Sequence, residues 1–210
     1  MARIAASQRE ALSQNRRNQI LEAALRVWAR HGFDASPVEA IAREAGLAKG
    51  TLYLYFATKE SILEAIIARY SLLPDMTELA ATLRETPPEQ AIPLIARRFY
   101  ERLRERAPLL GLVVREFPLR RDEARVFVER IVLPVNRLLA SYLDRFVAEG
   151  VLRPLDTFVA ARALVGMLMI FVLTQYVFGG DSIEPISDDA VIETAQEIFL
   201  RGALAPRPGG

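Results

Sequence analysis

The chain has 210 residues, half of them apolar and a quarter charged, which is the composition of a globular protein with one large domain or two small ones. It holds no cysteine and one histidine, His31, so disulfides, thiolate chemistry and multi-histidine metal sites are excluded, and no metal or cofactor is expected. The net charge of +1 is uneven: residues 1–60 carry nine Lys/Arg against six Asp/Glu, and both lysines of the protein, Lys49 and Lys59, lie among them.

A basic excess confined to one end suits a local phosphate contact better than a whole-surface one. Residues 1–13 are polar and alanine-rich with no apolar segment, as expected of a cytoplasmic protein. Beyond them helical periodicity dominates, and no alternating run flanked by hairpin turns occurs. The expected fold is all-α, with about nine helices.

The first helix is predicted over 15–31, with Ile20, Ala24, Val27 and His31 on one stripe and Leu21, Leu25 and Trp28 beside it. Gly32 then stands where a left-handed residue closes a helix. The second helix opens at Ser36-Pro37-Val38-Glu39, with Ser36 as cap, Pro37 in the first position and Glu39 reaching back to complete a capping box. It ends near Ala45. A short third helix covers 48–55, and a fourth starts after Thr58 and runs until Pro74 stops it. A polar stretch leads to Pro88. A long amphipathic helix ends near Arg106, with Pro93 either kinking it or marking its start. Further helices are predicted over 108–117, over 122–149 with a bend at Pro134, and over 156–178 and 188–204. The Pro- and Gly-rich residues 205–210 read as a disordered tail.

The segment 38–56 carries the most information. Two helices crossing through a tight turn need a small residue at the crossing, a turn residue with positive φ, and apolar contacts that lock the pair. Ala42, Gly46 and the set Ile41, Ala45, Leu47, Leu52 with Tyr55 or Phe56 supply these at consistent spacing. The second helix of the pair then exposes Lys49, Gly50, Thr51 and Tyr53. This is a helix-turn-helix.

On Ile20-Leu21-Glu22-Ala23-Ala24, His31-Gly32-Phe33, Ile41-Ala42, Ala45-Gly46-Leu47, Lys49-Gly50-Thr51-Leu52-Tyr53, Tyr55-Phe56 and Lys59-Glu60, the chain resembles the tetracycline-repressor (TetR/AcrR) family of bacterial regulators. The resemblance is densest over 16–67. It implies that Lys49, Gly50, Thr51 and Tyr53 approach the major groove, and that Tyr55 and Lys59 contact phosphates. Two residues depart from the family pattern: Ala48 replaces the usual serine or threonine cap, and Leu54 stands where a histidine is frequent.

Other motifs carry less. Residues 46–51 superficially match a phosphate-binding loop, but Gly50 intervenes between Lys49 and Thr51 and no strand precedes them. Residues 163–180 form an uncharged run at the edge of a membrane span, which also suits a helix buried in a core and a subunit interface. No catalytic residue is expected, since neither a histidine cluster nor a matched carboxylate pair occurs.

The domains expected are a helix-turn-helix domain over 1–60 and a helical ligand-binding and dimerisation domain over 61–204, with the fourth helix as the only element touching both. One recognition helix reads few base pairs, so a homodimer is expected, formed by the last two helices on a palindromic operator. The partners are double-stranded DNA and a small apolar or amphipathic effector, with no membrane. Candidate pocket residues are Phe99, Leu103, Phe117, Phe127, Tyr142, Met167 and Phe171. An activator, a regulator without a small-molecule input, an enzyme on a helical bundle and a membrane-associated interaction protein are the alternatives.

Overall fold

The computed structural model describes residues 2–205, with side chains from residue 10 on. The described residues are helices and their connections, and the only extended pairing among them is an isolated bridge between Leu152 and Leu204. The all-α class stands. The chain divides into two compact units, one made of Met1–Tyr70 with Gly111–Arg121, the other of Ser71–Leu110 with Asp122–Gly210.

In the first unit α1 (Ala2–His31) carries α2 (Val38–Glu44), α3 (Lys49–Tyr53) and α4 (Lys59–Arg69). Ile20, Ala24 and Trp28 of α1 are fully buried with Ile41, Leu52, Ile62 and Ile66 from the other three helices. His31 leaves this stripe and is exposed. Gly32 closes α1 at φ 82°, and a Cβ there would also lie 3.0 Å from the Arg115 guanidinium and 3.2 Å from the Glu116 carboxylate. The conformation favours glycine, and a side chain there would also displace the tips of Arg115 and Glu116.

Ser36 does not cap α2. Its hydroxyl, 1% exposed, donates backwards to the Gly32 carbonyl at 2.6 Å, and Pro37 occupies the cap position without a side-chain bond. The hydroxyl is thus engaged by the backbone of the turn after α1 and is not available to the N–H groups of α2. The capping box belongs instead to α4. Ser61 N donates to Thr58 Oγ1 at 3.0 Å and Thr58 N donates to Ser61 Oγ at 3.2 Å.

In the second unit, α5 (Leu73–Thr82) is a helix where the sequence reading gave a polar stretch. Pro74 opens it rather than stopping α4, which has already ended at Arg69. Asp75 in its first turn receives Arg102 of α6 (Pro88–Glu105) at 3.2 Å and Arg106, the C-cap of that helix, at 3.0 Å. Pro93 lies inside α6. α7 (Ala107–Glu116) follows and from Gly111 on belongs to the first unit, as does the 3-10 turn at Phe117–Leu119. Then α8 (Arg121–Phe127) passes through a π turn, Val128–Val132, into α9 (Leu133–Ala148). Pro134 gives no N–H to the Arg130 carbonyl and crowds it, which accounts for the widened turn just before it.

α10 (Thr157–Val172) continues into a second π segment, Leu173–Val177, and α11 (Asp188–Ala203) ends the unit. Its core joins α5, α6, α9, α10 and α11 around Ile92, Tyr100, Leu143, Leu164 and Val172, all at most 1% exposed. Ala205 is held, its N–H donating to the Val151 carbonyl at 3.0 Å; the rest of the expected tail, 206–210, lies outside the described residues.

Candidate nucleic-acid interface and cavity

α2 and α3 meet through a four-residue turn. Leu47 N donates to the Ala42 carbonyl at 2.8 Å and Gly46 N to that of Arg43 at 3.0 Å, with Gly46 at φ 65°. A Cβ on Gly46 would meet nothing within 4 Å, so it is the conformation alone that favours glycine there. Four side chains of α1 hold the pair from behind. Arg17 donates to the Tyr55 carbonyl at 3.2 Å and stacks 4.4 Å from the Phe56 ring, while Gln19 donates to the Ala45 carbonyl at 2.6 Å. Arg26, at 2.8 Å, and Arg30 both bind Glu44, and the Arg26 guanidinium in first place, then Arg30, holds that carboxyl below the usual range.

α3 therefore turns Leu52 inward, fully buried, with Phe56 just beyond it 3% exposed. Its outward side carries Lys49, Gly50, Tyr53 and, at its C-cap, Leu54. Ala48 caps it without a side-chain bond. Thr51 and Tyr55 are half-buried at the flanks. Lys49 is ion-paired with Glu39 of α2 and lies 5.8 Å from the Tyr53 ring centroid. Each partner holds the other charged: hydrogen bonding from Lys49 lowers the Glu39 pKa, and Glu39 raises that of Lys49.

Lys59 stands apart from this face. Its ammonium donates to the carbonyls of Phe33 at 2.7 Å, Ser36 at 3.1 Å and Asp34 at 3.4 Å, and lies 4.5 Å from the Phe33 ring centroid. These three carbonyls use all three of its N–H donors. Arg120 approaches the same ring at 4.2 Å and is ion-paired with Asp34, while Arg115 donates to the Ala29 carbonyl at 3.3 Å. The sequence reading gave Gly111–Arg121 no part in this unit. Nothing in the pattern of an isolated α7 marks its end as a partner of the turn after α1.

The second unit holds a partly open apolar cavity of about 40 Å³. Its walls are Met76, Leu79 and Ala80 of α5, Ile95, Ala96 and Phe99 of α6, Val135, Leu138, Leu139 and Tyr142 of α9, and Leu164, Val165 and Leu168 of α10. Tyr142 brings the only hydroxyl, which donates to the Thr86 carbonyl at 2.8 Å; burial pushes its pKa up to about 12. Of the candidate pocket residues, Phe99 and Tyr142 line this cavity. Leu103 is buried elsewhere on α6, and Phe117 belongs to the N-terminal unit. Phe127 ends α8, and Met167 and Phe171 pack half-buried on other faces of α10. The α5 wall was missed because α5 itself was.

The apolar segment 157–177 is long enough to cross a membrane, and 22% of its most apolar window is buried in the single chain. A continuous stripe stays open on α10: Val159 at 60% exposure, Ala163, Gly166 and Ile170 at 51%. No group of three or more His, Cys, Asp or Glu able to hold a metal occurs among the described residues.

Residues 20–66 match the model of bacterial regulatory proteins of the tetR family, and residues 94–202 that of the AefR-like transcriptional repressor C-terminal domain. The chain is 26% identical over 145 residues to the HTH-type transcriptional regulator YerO of Bacillus subtilis. That alignment covers 64% of this chain, which spans half of the longer relative. A crystal structure of a TetR-family regulator from Mesorhizobium loti superposes with a TM-score of 0.74 at 23% identity, covering 92% of this chain and 98% of the other. The FadR regulator of Bacillus subtilis, solved in complex with stearoyl-CoA, gives a TM-score of 0.66 at 25% identity over 88% and 97%.

Proposed function

The chain belongs to the TetR family of bacterial DNA-binding transcriptional regulators, and from that we propose that it is a homodimeric repressor released from a palindromic operator by a small apolar or amphipathic effector. Lys49, Gly50, Thr51 and Tyr53 meet the major groove, and Tyr55 offers its hydroxyl to the phosphate backbone. Lys59 serves DNA binding by holding the turn after α1, since its donors are already engaged there.

The observation that carries the effector reading is the cavity. Its lining is apolar save one hydroxyl, which suits an aliphatic or aromatic occupant. At about 40 Å³ it is far below the roughly 300–1,000 Å³ of an occupied small-molecule site, so the occupant must part the helices to enter. The α5 wall follows α4 along the chain after Tyr70, Ser71 and Leu72, so a displacement of α5 is passed along the chain to α4. The acyl-CoA bound by the FadR relative supports a long acyl chain as the first occupant to try.

Dimerisation is supported by the open stripe on α10. Gly166 has nothing within 4 Å of where its Cβ would stand, so its small size answers no need within the single chain and suits close approach of a second copy. The test is selection of duplexes from a random pool, followed by mass measurement of the complex. The expected product is an inverted repeat with half-sites about one helical turn or a multiple apart, bound by paired chains, with affinity falling steeply with salt. Enrichment of single, unrepeated sites bound by one chain would contradict the dimeric reading.

A further inference from the structure

We propose that the outward stripe of α3, formed by Gly50, Tyr53 and Leu54, reads thymine through its C5 methyl group, with Leu54 as the contacting side chain. The inference rests on the DNA-binding reading and adds the chemistry by which bases are told apart.

Three observations converge on that stripe. Gly50, Tyr53 and Leu54 stand at i, i+3 and i+4, and Leu54 keeps helical geometry at φ −67° and ψ −22°, so all three share one face, turned away from buried Leu52. Leu54 is 83% exposed and Tyr53 44%, although both are large and apolar-bodied. Gly50 is the second residue of a helix, has no positive φ, and would find nothing within 4 Å of an added Cβ. Neither conformation nor packing asks for glycine there, and inside a helix glycine costs stability that alanine would restore. Each of the three is unexplained by the fold of the chain itself. All three are explained by a flat surface pressed closely against the helix.

The residue types then select the base. α3 contains no Arg, Asn or Gln, the side chains that make paired hydrogen bonds to guanine or adenine. Its one cation, Lys49, is engaged with Glu39. What the stripe offers is a missing side chain, an aromatic ring with a hydroxyl, and an isobutyl group. In the major groove thymine alone presents a methyl group, and an exposed leucine is complementary to it. Gly50 removes the Cβ that would hold the base edge away.

The test uses the full chain and a duplex selected from a random pool, with each thymine replaced singly by uracil, which deletes only the methyl. For the wild-type protein, uracil at one thymine of each half-site should weaken binding roughly fourfold, the worth of one buried methyl-sized group. Leu54→Ala should bind the thymine and uracil duplexes equally, and Leu54→Met should regain the discrimination. Because Leu54 is exposed, the variants should unfold at the wild-type temperature. Gly50→Ala should hold or raise that temperature while weakening binding to every selected duplex. An operator with no methyl-sensitive thymine, or Leu54→Ala retaining the wild-type uracil penalty, overturns the inference while leaving DNA binding intact. Failure to enrich any duplex would overturn both this inference and the DNA-binding reading it rests on.

Discussion

The Phe33 ring, 1% exposed, lies between two cations, with Lys59 4.5 Å and Arg120 4.2 Å from its centroid. Truncating Lys59 removes the ammonium donor from the Phe33 and Ser36 carbonyls in a part-buried turn, where Phe33 keeps only the longer bond from Ser36 N at 3.3 Å. Lys59→Ala should therefore cost roughly 1–3 kcal/mol of stability, read by denaturant unfolding, with the salt slope of DNA binding unchanged. A slope lowered by about one unit at unaltered stability would instead mark Lys59 as a phosphate contact. Glu39 makes the opposite case. Its carboxylate holds Lys49, so a phosphate or base must compete for that ammonium. Glu39→Gln should tighten operator binding severalfold at low salt, and the gain should shrink as salt rises. At this scale the sequence was legible where conformation decides, as at Gly32 and Gly46. It was not legible where a side chain's partner lies far along the chain. Ser36 and Lys59 carry ordinary cap and surface signals, and only the folded turn reveals the carbonyls that claim them.

Among the elements, the helix-turn-helix could be read because its requirements are local: small residue, turn glycine and apolar lock all fall within twenty positions. α5 shows the converse. Leu72, Met76, Leu79 and Leu83 recur at helical spacing, but the polar residues between them and the two prolines at Pro74 and Pro87–Pro88 masked the pattern. Proline at the start of a helix looks, from sequence, much like proline after the end of one. α10 presents a different problem, since an apolar run cannot say which of its faces a second molecule covers. Within the single chain Phe199 is 7% exposed and belongs to the chain's own core, so a charge there would unfold the unit rather than divide a dimer. Ile170, half exposed on the open stripe, is the discriminating position. Ile170→Glu should yield a folded monomer by light scattering with a wild-type helical spectrum, and operator binding should fall because two half-sites are no longer read together. A tight dimer in that variant would move the interface off α10.

For the whole molecule, the chain crosses between its two compact units three times, after Tyr70, after Leu110 and after Arg121. The first crossing follows α4, the connection expected from sequence. The other two bracket Gly111–Arg121, which joins the DNA-reading unit through Arg115 and Arg120. An effector that parts the cavity walls thus acts on a chain that enters the DNA-reading unit by both routes. Any such effect is a coupling free energy and must be reciprocal: the ligand weakens DNA by the same factor as DNA weakens the ligand. The most direct measurement is operator affinity by fluorescence anisotropy across a series of acyl-CoAs of increasing chain length, with the affinity of each compound measured on the free protein and on the operator complex. The expected result is that compounds binding the free protein lower operator affinity by roughly 5- to 150-fold and lose affinity for the complex by the same factor. A compound that binds the free protein tightly, opens the cavity and leaves operator affinity unchanged would contradict release by an effector.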